Sequence, residues 1–237
     1  MQQFCNKQAG FNLIELLAVI AIIGILMAIL IPVASNVRAA AYQSQCASNM
    51  RQIGMGLRLY ADENDGWLPS TAHLGREDSW ILALRPYLDD VDEIRICPVD
   101  PRIDEMRRRP ESTSYIVNDI IFTPEFDDFF RPVGEDFRQI DRLQNPSGTK
   151  LAFIQNERRG LNIANDHTHA RLWRNNWGAF THDVAPDRHR AGSQSSDRTH
   201  GRSNYLYADG HVSSINAQEI KNRIESGENI AFPPELR

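Results

Sequence analysis

The chain has 237 residues, enough for one helical anchor plus one globular domain, and its 41% hydrophobic and 24% charged content excludes wholesale disorder. A mean hydropathy of −0.45 excludes a multi-span membrane protein. The formal charge of −5 gives no electrostatic reason to expect nucleic acid as the main partner, and the run Arg107-Arg108-Arg109 reads as a solvated charged face.

Apolar residues concentrate near the N-terminus. Residues 10–34 read GFNLIELLAVIAIIGILMAILIPVA, with no charge from Leu16 to Ala34. Roughly 20 apolar residues suffice to cross a bilayer as a helix. A short leader, in which Lys7 is the one charged side chain, ends at Gly10 before this run begins. A secretory signal would instead place a small-residue cleavage site after its apolar core. Glu15 is the one charge inside the run. A carboxylate at mid-bilayer costs about 2.5 kcal/mol or more. Glu15 therefore either sits at the headgroup level or meets a cation. Cleavage after Gly10 would supply one in the Phe11 amine of a neighbouring helix.

Gly10-Phe11-Asn12-Leu13-Ile14-Glu15-Leu16 resembles the processing site of type IV prepilins and type II secretion pseudopilins. The resemblance implies that a prepilin peptidase removes residues 1–10 and methylates the new N-terminal Phe11. It implies that Glu15 guides assembly with other pilin or pseudopilin subunits. The family often has a proline where Pro32 stands, and its missing N–H can bend or loosen the helix.

The helix continues past the membrane half, residues 11–34, into an amphipathic half, residues 35–62. Tyr42, Cys46, Met50, Ile53, Leu57 and Tyr60 recur at steps of three or four and mark a face that packs. Arg38, Gln43, Gln45, Asn49, Arg51 and Arg58 mark the polar face. Gly54 and Gly56 lower helix propensity and suggest close packing. Asp62-Glu63-Asn64-Asp65-Gly66 ends the helix. As a calcium loop it fails, because Gly stands where a third ligand is needed.

Residues 63–237 read as a mixed head. Residues 80–85 form a short helix ending near Pro86. Ser114-Tyr115-Ile116-Val117 and Leu151-Ala152-Phe153-Ile154 read as strands. Asp209-Gly210 between Asn204-Tyr205-Leu206-Tyr207-Ala208 and His211-Val212 predicts a hairpin turn. Asn216, with Glu219 three residues on, predicts an N-cap and a helix through Ile224. Residues 157–202 are rich in Arg, His, Asn and Asp and lack periodicity, so they read as a long polar loop. The fold class is α+β: a long N-terminal spine helix packed on a small antiparallel sheet.

Three cysteines are present, with Cys5 in the leader. Cys46 and Cys97 remain in an extracytoplasmic head, as a disulfide or as two buried thiols. Asp166-His167-Thr168-His169, His182, His189, His200 and His211 offer metal-ligand types, but their spacing matches no zinc pattern, and they read as surface histidines. Ser114 or Ser203 with His200 and Asp209 could be drawn as a triad, yet no nucleophile-elbow motif supports it. No metal or other cofactor is expected.

Cys46-Ala47-Ser48-Asn49-Met50-Arg51-Gln52-Ile53-Gly54, Cys97-Pro98-Val99-Asp100-Pro101, Ser114-Tyr115-Ile116-Val117-Asn118 and His200 followed by Asp209-Gly210 are similar to a large bacterial group of pilin-like proteins. That group's C-terminal domain is named for an H-x9-DG motif. Here eight residues separate His200 from Asp209, so the resemblance assigns His200 no role. Together the two resemblances imply a structural subunit, not an enzyme. It would be held in the bacterial inner membrane by one span, with its head in the periplasm. Its partners would be the lipid bilayer and a secretion or pilus assembly platform. The alternative is a tethered ligand-binding protein that never polymerises, taking a carbohydrate or other ligand on the His- and Arg-rich loop. A tethered hydrolase or metalloenzyme is a third reading.

Overall fold

The computed structural model describes residues 13–73, 75–88, 93–127, 129, 132–133, 136–190 and 192–234. The cleavage pair Gly10 and Phe11 lies outside them. The chain divides into two compact units between Ala40 and Ala41, and helix α1 (Leu13–Glu63) runs through that boundary. It has 51 residues. A lone apolar segment in lipid satisfies all its backbone groups only as a helix. The helix persists through Pro32, where the missing N–H leaves the Ala28 carbonyl without its usual partner. It ends as the sequence predicts: Asp65 and Gly66 take φ of 52° and 81°, and the Gly66 N–H donates to the Ala61 carbonyl at 2.8 Å.

In the first unit the large apolar side chains of α1 are exposed, from 45% at Val19 to 80% at Leu13. The second unit contains the rest of α1 and the sheet. Its further elements are α2 (Trp80–Ala83), α3 (Ile103–Arg107), β1 (Tyr115–Val117), α4 (Asp119–Phe122), β2 (Glu125–Phe126), β3 (Pro132–Val133), β4 (Lys150–Ile154), α5 (Trp177–Asp183), β5 (Arg202–Tyr207), β6 (Val212–Asn216) and α6 (Ala217–Glu225). The main sheet is antiparallel in the order β1-β4-β5-β6, and β2 and β3 pair separately.

Strand side chains alternate between faces, and here both faces are covered. On one, Cys46, Met50, Ile53 and Leu57 of α1 pack with Tyr115, Val117 and Leu206. Each fully buried Ile or Leu contributes about 1.5–3 kcal/mol. On the other, Ile116, Phe153 and Tyr205 pack with Trp173, Phe180, Ile220 and Ile224. Phe153 meets Trp173 and Tyr205 edge-on, at centroid distances of 5.3 and 5.9 Å. The spine-on-sheet arrangement was legible in the sequence, whereas this second layer was not. Gly54 is the close approach point: a Cβ there would lie 2.9 Å from Leu206 Cδ1.

The expected hairpin and cap both form. Gly210 turns at φ 88°, and the Asn216 side chain accepts from the Gln218 N–H at 2.8 Å.

Three expectations need correction. Tyr42, placed on the packed face, is 43% exposed. Asn49, placed on the polar face, is buried, because its amide donates to the Glu93 and Ile96 carbonyls at 3.1 and 3.0 Å. Those turn carbonyls need donors once the 93–97 segment lies on α1. Residues 157–202 are no structureless loop. They carry α5 and two short 3-10 turns, and they bury paired charges where a core would ordinarily hold apolar groups.

Candidate functional site

The anchor and the head offer different chemistry. In the anchor, Glu15 sits in the first turn of α1, where the helix dipole favours a carboxylate. Beyond it the exposed apolar face continues past Pro32 to Val33 and Val37. Such a surface calls for lipid or other apolar helices around it.

In the head, the motif residues divide. His200 precedes β5 and is exposed. Asp209 and Gly210 follow β5, so about 20 Å of strand separates them from His200. No His200–Asp209 pair forms. Asp209 accepts instead from the backbone N–H of His211, at 3.1 Å, and lies 2.6 Å from its Nδ1, while the His211 ring stacks on Tyr207. These residues build a turn.

The buried polar centre lies elsewhere. Asp183, at the end of α5, is ion-paired with Arg159, and both are buried. It also accepts from the His169 N–H at 2.7 Å and from Trp173 Nε1 at 3.2 Å. Burial would raise its carboxyl, but a hydrogen bond with His169 Nδ1, at 3.2 Å, and the Arg159 charge hold it below the usual carboxylate range. The same hydrogen bond raises His169. Asp166 accepts from Ser79 Oγ at 2.6 Å and from the Ala72 N–H at 3.0 Å, and pairs with His167 Nδ1 at 2.8 Å. His167 is therefore buried, which corrects its reading as a surface residue; His189 is buried too.

A second ionic knot lies within the same stretch of chain. Asp187 takes Arg198 at 2.6 Å, and Glu157 takes both Arg188 and Arg198 at 3.2 Å. Against its burial, the Arg188 and Arg198 charges lower the Glu157 carboxyl to about 2.

Two open clefts border these networks. One of about 380 Å³ is lined by His73, Asp119, Thr123, His167, His169 and Arg171. The other, about 610 Å³, is lined by residues that include Asn156, Arg158, Trp177, His182, Gln194 and Asp197. Both present hydrogen-bonding groups suited to a polar ligand.

Cys46 and Cys97 are buried free thiols, with sulfurs within 4.8 Å of each other. Burial pushes the Cys97 thiol well up, and its hydrogen bond with Cys46 adds to this. His73, Arg159, Asp183 and His189 carry no local motif, and only the fold brings them to these places.

A family model for the prokaryotic N-terminal methylation motif matches residues 5–31. No curated protein and no solved structure matches the chain. The matched stretch holds Gly10, Phe11 and Glu15 and stops just before Pro32. It implies processing by prepilin peptidase and association with a membrane, which the long apolar helix also fits. The N-terminus of this chain is that of a type IV prepilin-like protein.

Proposed function

We propose that the mature chain, beginning at Phe11, is a structural subunit that assembles into a type IV pilus or type II secretion pseudopilus. The observation that carries this reading is the methylation motif joined to a helix whose apolar side chains are exposed along its first half. In a filament, staggered copies would cover that face, and Glu15 of one copy would meet the Phe11 amine of another. The subunit would stand in the inner membrane with its head in the periplasm and would carry no catalytic role. Mass spectrometry of the mature N-terminus should find methylated Phe11, and Gly10→Ala should leave the leader attached. Filaments sheared from cells should contain the subunit. A Gly10→Ala chain shortened at the same bond would refute the processing step; subunit missing from every filament fraction would refute assembly.

One observation favours a second reading. The 610 Å³ cleft combines Trp177 with Asn156, Gln194 and Asp197, an aromatic and amide mixture suited to sugars. In that reading the chain is a tethered carbohydrate-binding protein that never polymerises, and filament fractions lack it.

A further inference from the structure

Cys46 lies on the inner face of α1, Cys97 in the turn ahead of Pro98, and His189 in the segment between α5 and β5, bridged to Arg202. One ligand atom from each comes within 4.8 Å of the other two, and all three residues are buried. His189 is held there by its backbone: its N–H donates to the Arg202 carbonyl at 2.9 Å, and its carbonyl accepts from the Arg202 N–H at 3.1 Å.

Two buried polar atoms in this neighbourhood have no hydrogen-bond partner among the described residues. One is Nε2 of His189, a residue 9% exposed. The other is Oδ1 of Asn204, a residue 1% exposed. The Asn204 amide nitrogen donates to the Gln43 carbonyl at 3.0 Å, which fixes the orientation of the carboxamide. Buried polar groups are nearly always partnered, and an exception calls for an explanation. A disulfide between Cys46 and Cys97 would leave this nitrogen of His189 just as unpartnered.

We propose that Cys46, Cys97 and His189 form a structural site for a borderline-soft divalent cation of the zinc class. Two thiolates balance the cation's charge and the imidazole is neutral, so these three ligands leave the site neutral in a buried setting. Binding displaces the two thiol protons to solvent and changes no oxidation state. Zinc–sulfur bonds of about 2.3 Å in a tetrahedron put the sulfurs about 3.8 Å apart. The observed limit of 4.8 Å needs a closure of no more than about 1 Å. The cation would fasten α1 to the segment before β1 and to the segment before β5, three parts of the chain far apart in sequence.

The test uses the full chain in detergent, isolated without reductant and then titrated with zinc chloride alone. Expected are one zinc per chain by native mass spectrometry and protection of both cysteines from alkylation until a chelator is added. Cobalt in place of zinc should give thiolate-to-cobalt charge-transfer absorption, a readout that needs no variant. Cys97→Ser and His189→Ala should each weaken zinc binding at least about tenfold, with circular dichroism showing a folded head. Three outcomes would each overturn the site: zinc well below stoichiometric, a chain lighter by two hydrogens with the Cys46 and Cys97 peptides joined, or a folded His189→Ala protein with the wild-type cobalt spectrum.

Discussion

The two compact units break the usual distribution of residues in opposite ways. The first shows its apolar side chains, from Leu13 to Val37. The second hides ionised ones: Asp100, Arg159, Asp183, Asp187, Arg188 and Arg198 are each at most 7% exposed. Buried charges persist only when paired, and the head supplies the partners from its own chain. Exposed apolar runs persist only in an apolar medium, and the anchor has its medium outside the chain. The contrast teaches that each unit's composition states where its complement lies.

The largest effect should come from charging the anchor. Ile22→Arg with Leu26→Arg adds about 5–7 kcal/mol to insertion, at about 2.5–3.5 kcal/mol per arginine near mid-bilayer. The variant should move from the membrane to the soluble fraction of a lysate while the head keeps its cooperative melt. Full retention in the membrane fraction would break the comparison on the anchor side.

Discharging the head should come next. Asp183→Ala strands the buried Arg159 guanidinium, a loss of about 3–5 kcal/mol, and leaves membrane association unchanged. Denaturant unfolding in detergent measures the first and flotation the second. A loss below about 1 kcal/mol would show that the pair behaves like a surface ion pair.

A smaller effect tests where α1 changes character. At Gly54 a side chain meets Leu206, so Gly54→Val should destabilise the head by about 1–3 kcal/mol through overpacking. At Gly24 a Cβ meets nothing within 4 Å, and Gly24→Ala should leave the head's stability unchanged.

These predictions rest on regions of unequal legibility. The anchor was readable because its signal is contiguous: Gly10, Phe11, Glu15 and the apolar run stand side by side in sequence. The strands and the Asp209-Gly210 turn were readable from β-branched and aromatic runs with local turn chemistry. Residues 157–202 were not, because Arg, Asp and His read as solvent-facing when each is judged alone. Arg159 is buried only because Asp183 is folded against it, and no local pattern announces that pairing. Asn49 was misplaced for the same reason, since its partners are carbonyls of a segment that reaches α1 only in the fold. His167 and His189 likewise are buried only through long-range packing.

The smallest effect separates the head's knots by pH. Glu157, at about 2 in the fold against an ordinary 4.5, is depressed by Arg188 and Arg198 despite its burial. A depressed carboxyl contributes stability that is full above its unfolded value and is lost as pH falls through its folded one. The window here runs from about 4.5 down to about 2. Partial solvent access screens the pair, so the contribution at neutral pH is about 1–2 kcal/mol. Asp100 and Asp183, also held low, add acid slopes of their own. The informative quantity is therefore the difference between wild type and Glu157→Gln. Unfolding free energies measured across that window should converge as the pH drops, since protonation removes in the wild type what the substitution already removed. Parallel curves would mean that Glu157 is not the titrating group, and the acid sensitivity would then belong to Asp100 and Asp183.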